Sequence, residues 1–347
     1  MPPDSRPRII LDDAPLREDF IPLDLVARDS QIRLVQACLE PARSGRKPTH
    51  VWLHGQPGSG KTAVAKAVLT KLRHESNIPC LAINCWERDT LYEILDQIIT
   101  ELKIFRAEEH RTSVKIERLQ RHLGSRSMVF LLDEVDKIAP CERARVLYSL
   151  DALGNTGLVC VSNSLGALYE LEERVRSRLN PRTLAFGPFS AEEIAEILVG
   201  RTRIALAPDA CPLYLIKRMA AGCNGDARVA IQTLRNAAEA AERAGHGAIM
   251  PSDVSAGWND SQAIKSSQVL ANLTEDHRIL YQAVRQQKEM LCTNLWEAYL
   301  QQCSQVNRKP IAPRTFSAYV SQLVRLGLLI CERARVKGNV RLLKAAK

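Results

Sequence analysis

Apolar positions along this chain follow two distinct periods. Residues 51–53 (VWL), 128–132 (MVFLL) and 157–161 (GLVCV) are short runs with no charged position. That is the pattern of parallel strands covered on both faces. Between them, Val64, Ala65, Val68, Leu69 and Leu72 recur at helical spacing, as do Leu91, Ile94, Leu95, Ile98 and Leu102. Alternating strands and helices predict an α/β parallel-sheet domain up to about residue 188. From Ser190 the pattern is helical without intervening strands, opening with Ser190 and Glu193 at capping-box spacing. Gly225 and Asp226 then precede a long Ala-rich helix. The last eighty or so residues change again. Ile279, Leu280 and Val284 mark one helix face, and Leu295, Trp296, Tyr299 and Leu300 a second. Phe316, Tyr319, Val320, Leu323 and Leu326 mark a third, with Pro313 suited to its first turn and Gly327 to its stop. Two short apolar stretches, LLICERARV and VRLLK, flank Lys337, Gly338 and Asn339 and predict a hairpin. Three helices followed by a hairpin is the winged-helix plan.

No apolar run reaches the ~20 residues of a membrane span, and the N-terminal stretch lacks the apolar core of a secretory signal. Ten cysteines are scattered without any C-x-x-C pair. Most, like Cys160, sit in apolar surroundings, so neither a disulfide framework nor a zinc site is expected and the compartment reads as reducing. Charge changes the picture more. The chain has net charge +9, and residues 265–347 hold 14 Lys and Arg against 5 Asp and Glu. The whole excess therefore lies in the last quarter, which points to a polyanionic partner.

Residues 55–62 read GQPGSGKT, following an apolar run and opening a helix. This is the G-x-x-x-x-G-K-[ST] phosphate loop, in which backbone N–H groups and a helix N-terminus cradle phosphates. Gly55, Gln56, Pro57, Gly58, Ser59, Gly60, Lys61, Thr62 and Ala63 are its candidate nucleotide-binding residues. Lys61 is expected on the β- and γ-phosphates and Thr62 on Mg²⁺. Gly58 and Gly60 allow backbone a Cβ would obstruct. Asp133 and Glu134 close the run at 128–132, at the strand end where doubly wound sheets place ligands. Asp133 is expected to hold Mg²⁺, and Glu134 to polarise the attacking water. Asp136 reads as a surface or supporting residue. Asn163, after the next strand, is the candidate γ-phosphate sensor. Arg174, Arg176, Arg178 and Arg182 form an arginine-dense stretch from which one could stabilise a transferred phosphoryl group. Arg228 lies in the first turn of its helix, where the dipole disfavours a cation unless an anion stands in front.

In the basic end, Arg314, Thr315 and Ser317 fall at the start of the candidate recognition helix, where side chains reach base edges or phosphates. Arg333, Arg335, Lys337 and Arg341 decorate the wing.

Together these segments resemble the AAA+ ATPases, and in detail the archaeal replication initiators of the origin recognition complex and cell division control family. The resemblance runs from about Arg17 to Lys344. Arg28-Asp29 is similar to the family's N-terminal box, with Asp where Glu is usual. DEVDK resembles its extended Walker B, RVRSRL its arginine-finger region with Arg178 best placed, and GDAR its sensor 2, with Arg228 as the lid's γ-phosphate contact. The stretch 86–111 corresponds to a family insertion expected to touch DNA, although its own spacing suits an ordinary amphipathic helix.

The resemblance implies an N-terminal tail (1–16), an AAA+ base (17–188), a helical lid (189–264) and a winged-helix domain (265–347). It also implies ATP or ADP with Mg²⁺, slow switch-type hydrolysis, origin duplex DNA, other initiator subunits and the MCM replicative helicase as partners, and a cytoplasmic, nucleoid-associated protein. Competing readings are a clamp-loader-like or transposition-type ATPase, and a signalling NTPase with a basic interaction module.

Overall fold

A computed structural model describes residues 8–22, 24–104, 111–258, 273–287, 289–305, 308–326, 328–333 and 341–345. The chain divides into two compact units, residues 1–254 and 255–347.

In the first unit, five parallel strands form one sheet in the order β2-β3-β4-β1-β5. They are β1 (Val51–Gly55), β2 (Cys80–Asn84), β3 (Met128–Asp133), β4 (Thr156–Ser162) and β5 (Arg182–Phe186). The uninterrupted apolar runs are the central strands, and β4 is buried at all seven positions. Successive strand residues feed opposite faces. Val51, Leu53, Val129, Leu131, Val159 and Val161 face one cluster with α1 (Asp29–Leu39) and α2 (Lys61–Ser76). Trp52, Phe130, Leu132, Leu158 and Cys160 face the other. That second face is covered by α3 (Leu91–Glu101), α4 (Thr112–Leu123), α5 (Pro140–Asp151), α6 (Gly166–Tyr169) and α7 (Glu173–Leu179). The amphipathic pattern read at 91–102 is α3, capped by the Thr90 hydroxyl accepting from Glu93 N–H. Within the stretch 86–111, residues 105–110 lie outside the described residues.

The lid is helical, as its period required: α8 (Ala191–Ala205), α9 (Leu213–Gly222), α10 (Ala227–Ala244) and α11 (residues 251–258). Ser190 and Glu193 form the reciprocal capping box. The expected N-terminal tail has structure in its described part. Ile9 and Leu16 are buried, and Ile10 bridges to Leu206 of the lid. Residues 1–7 lie outside the described residues.

The described residues of the second unit include the helices α12 (Glu275–Gln287), α13 (Cys292–Gln305) and α14 (Pro313–Arg325). With them goes an antiparallel sheet of β6 (Glu289–Leu291), β8 (Arg341–Ala345) and β7 (Leu329–Arg333), in that order. Their apolar faces meet in one core that includes Leu280, Val284, Leu295, Tyr299, Phe316 and Leu323. This is a winged helix.

No described helix is long and apolar enough to cross a membrane. Phe130, fully buried in the central strand β3, tests the sheet core. Phe130→Ala should destabilise the first unit by about 3–5 kcal/mol, read as a lowered urea midpoint in circular dichroism.

Candidate nucleotide site and nucleic-acid interface

The glycine loop leaves β1 and ends where α2 begins at Lys61. The Lys61 ammonium is buried and donates to the carbonyl oxygens of Gly55 (2.8 Å) and Gln56 (2.9 Å). A third, longer contact reaches Asn163 Oδ1 at 3.4 Å. The Thr62 hydroxyl donates to Asp133 Oδ1 at 3.0 Å, so the loop and the β3 carboxylate meet. Asp133 Oδ1 also accepts the Glu134 N–H at 3.1 Å. Glu134 has φ 56°, a left-handed conformation uncommon for a side chain outside Gly and Asn. It turns the chain sharply at the strand end, so Asp133, Glu134 and Asp136 all lie close enough to act on the charge of Lys61. Asp136 supports the neighbouring loop, its carboxylate accepting the Asn163 backbone N–H at 3.3 Å.

The lid comes to the same loop. Gly58 has φ +74°, and a Cβ there would stand 2.0 Å from Asp226 Oδ1. Ala227 N–H donates to Gly58 O at 3.3 Å. Asp226 caps α10 by accepting from Arg228 and Val229 N–H. Arg228 thereby comes close to Lys61. Burial, and after it the Arg228 guanidinium, push the Lys61 ammonium down to about 8. Three carboxylates pull the other way and do not restore it. A desolvated ammonium with an exposed guanidinium close by, both at helix N-termini, calls for an anion.

Beyond the loop a cavity of about 880 Å³ opens. Its walls are the glycine loop, the lid residues Ile197, Ile204, Ala227, Arg228 and Ile231, and a connector including Phe20, Ile21, Leu25 and Val26. Lys61, Lys66, Arg28, Arg201 and Arg228 give it cationic walls beside apolar ones, and Glu18, Asp19 and Asp24 also line it. The oxygen pair Thr62–Asp133 suits a hard cation such as Mg²⁺.

Two residues to which the sequence motifs gave no role also shape this site. Arg28, visible only as part of the N-terminal box, is buried. It donates to Ser59 O (3.0 Å), Ala27 O (3.1 Å) and Gly187 O (3.0 Å), with its guanidinium 3.8 Å from the Phe189 ring centroid. It ties the connector, the loop and the passage into the lid. Asp226 is the other, present in sequence only as part of the GDAR stretch ahead of the helix.

Arg178 is not brought here. Its Nε donates to the buried Asp151 at 2.6 Å, and its guanidinium lies 4.4 Å from the Tyr148 ring centroid. Asp151 also bonds Lys47 and His50, the residue before β1. This node therefore sits at the amino ends of the strands, roughly 16 Å, one strand length, from the glycine loop. In the single chain the Arg178 guanidinium is held by Asp151, away from the chain's own glycine loop.

In the second unit, Arg314 and Ser317 are exposed in the first turns of α14, and Thr315 is half-buried. The Tyr299 hydroxyl donates to Asp276 (2.7 Å) and accepts from Ile311 N–H (3.2 Å), fixing the chain just before α14. Asp276 also receives Arg308 at 3.0 Å. The register places Arg333 opposite Arg341 on paired strands. Arg335 and Lys337 lie outside the described residues.

Residues 24–161 match the AAA ATPase domain family, and residues 195–258 match the Cdc6 AAA+ ATPase-type lid domain. The chain is 28% identical over 331 residues to ORC1-type DNA replication protein 9 of Halobacterium salinarum, covering 93% of this chain and 91% of that one. It is 28% identical over 349 residues to the ORC1-type DNA replication protein of Pyrococcus horikoshii, with 90% and 81% covered. Among solved structures it resembles the Aeropyrum pernix ORC1 protein in complex with DNA, with TM-score 0.78 and 26% identity over 98% of this chain and 94% of that one.

The depressed Lys61 predicts a pH dependence. A bound phosphate favours the ammonium form and raises its pKa. Below about pH 8 Lys61 is charged with or without nucleotide, and affinity stays flat. Above it, binding must take up a proton, so ADP affinity falls by up to about tenfold per pH unit. Calorimetry between pH 7 and 9.5, in buffers of different ionisation enthalpy, reads both the fall and the proton uptake.

Proposed function

On the premise that the chain belongs to the archaeal ORC1/Cdc6-type AAA+ ATPases, we propose that it is a replication initiator, binding origin duplex DNA under the control of bound nucleotide and recruiting the MCM helicase. The observation that carries this reading is the pairing, in one chain, of the Lys61–Arg228 cationic cavity with a winged helix whose α14 opens on the exposed Arg314. The proposed boundaries are an AAA+ base at 17–188, a lid at 189–264 and a winged helix at 265–347, and the proposed compartment is the cytoplasm.

Residues 55–63 wrap the phosphates of ATP or ADP with their backbone N–H groups. Lys61 exchanges its carbonyl partners for phosphate oxygens, and Arg228 meets the γ-phosphate from the lid. Thr62 and Asp133 hold Mg²⁺, which neutralises charge on the phosphates when bound. Glu134 orients the attacking water and accepts its proton, and Asn163, steadied by Asp136, contacts the γ-phosphate. Slow, switch-type hydrolysis, with Glu134 as the carboxylate base, is carried over from the family likeness. Arg178 acts on a neighbour's nucleotide when subunits assemble, which requires it to exchange its bond to Asp151 for a phosphate oxygen.

In the winged helix, Arg314, Thr315 and Ser317 enter the major groove, and Arg333, Arg335, Lys337 and Arg341 follow the backbone from the wing. MCM and further initiator subunits remain partners by family likeness.

Fluorescence anisotropy at fixed salt, on duplexes tiled around the protein's own gene and on scrambled controls, tests the reading. A strong preference for one repeat-containing duplex, weakened by Arg314→Ala by about 1–3 kcal/mol, is expected. Equal binding to every duplex would favour a loader or transposition ATPase instead.

A further inference from the structure

Residues 8–16 precede the nucleotide-binding motifs and belong to none of them, yet they are built into the lid. Ile9 and Leu16 are buried to 1% exposure or less. A single carboxylate oxygen, Glu242 Oε1 of α10, accepts the N–H groups of both Ile9 and Ile10 at 2.8 Å. Ala207 N–H donates to Ile9 O (2.8 Å), and Leu11 N–H to Ala205 O (2.8 Å).

The docked segment ends at an arginine fork. Arg201 of α8 is 93% buried, at 7% exposure. Its Nη1 donates to Pro15 O at 2.5 Å and to Arg17 O at 3.4 Å, and its Nη2 to Phe20 O at 2.9 Å. The guanidinium also lies 4.9 Å from the Phe20 ring centroid. Among the described residues no carboxylate pairs with it, and its Nε has no hydrogen-bond partner. Three carbonyl dipoles are poor compensation for a buried charge, and burial lowers its pKa. Releasing the segment would return the guanidinium to water, so the closed arrangement is opposed by desolvation.

What it fastens matters for the site. Directly after Arg17 the chain forms the connector wall of the cavity, through Phe20, Ile21, Leu25 and Val26, and Arg201 lines the same cavity. The far end of that wall is pinned to the glycine loop by Arg28, through Ser59 O. One wall of the cavity is therefore held at its two ends by two arginines, one on the lid and one at the loop.

We propose that Arg201 is a positioning residue for the nucleotide site: by clasping residues 15–20 to the lid it keeps the connector closed over bound nucleotide and sets how fast nucleotide leaves. The proposal rests on the nucleotide reading given above. Glu242, which grips the same segment without lining the cavity, serves the same closure.

Stopped-flow release of mant-ADP from the full chain, chased with excess ADP, tests it. Arg201→Met should speed release by about tenfold or more, equivalent to about 1.4 kcal/mol, without slowing association. Arg201→Lys, which keeps the charge and loses the fork, should fall between. Glu242→Ala should also speed release. In all three variants tryptic cleavage after Arg17 should accelerate while far-ultraviolet circular dichroism stays native. Unchanged release in Arg201→Met and Glu242→Ala would overturn the clasp and leave nucleotide binding intact. Faster release in Arg201→Met alone, with unchanged cleavage after Arg17, would assign Arg201 to lid packing and also overturn it. A wild-type chain that fails to bind mant-ADP would overturn the nucleotide reading and the clasp together.

Discussion

The approach of the lid to the glycine loop at Gly58 is the constraint on which the site depends. There is no room at that position for a Cβ, because Asp226 Oδ1 would stand 2.0 Å from it. Across that gap Ala227 N–H reaches Gly58 O, and the helix that starts at Ala227 delivers Arg228 in its first turn. Asp226 makes the delivery stable by capping the same turn. A cation at a helix N-terminus opposes the helix dipole. Its place becomes intelligible once a second cation, Lys61, is found nearby and both border one cavity. The fold thus stores unfavourable positive charge where a polyphosphate relieves it.

The remaining chemistry is arranged around that charge. Parallel strands end together, so Asp133 at the close of β3 meets Thr62 at the start of α2. Asn163, just after β4, meets Lys61 from the other side. Neighbouring strands in the order β3-β4-β1 make these meetings a consequence of sheet topology. The Asp136 carboxylate on the Asn163 N–H then fixes one loop against the next. The fully apolar strands beneath hold those ends in place.

Much of this was legible in the sequence because the signals are local. The phosphate loop, the acidic strand end and Asn163 each sit beside an apolar run that fixes strand register, and the capping box at Ser190 marks where the lid starts. Arg228 was legible through its conflict with the dipole. The winged helix showed itself through three helical faces and a charge count. What stayed hidden depends on partners far away in the chain. Arg201 looks like one more exposed arginine on a helix, and its acceptors lie 181–186 residues earlier. Arg28 meets Gly187 across 159 residues. The bond from Arg178 to Asp151 needs β1, α5 and α7 to converge at the amino ends of the strands, which no local pattern encodes. Residues 8–16 have too little periodicity to predict an element, because their structure is borrowed from the lid.

At the centre of the proposed switch is the proposal that Arg228 and Lys61 together sense a third phosphate. The most direct test of that pairing is the ratio of ATP to ADP affinity, measured by calorimetry at pH 7.5 for the wild-type chain and Arg228→Ala. A shared sensor predicts that Arg228→Ala weakens ATP binding by about tenfold or more, in the range of a lost charge-assisted hydrogen bond, while ADP affinity changes little. Equal loss for both nucleotides, or none for either, would contradict it.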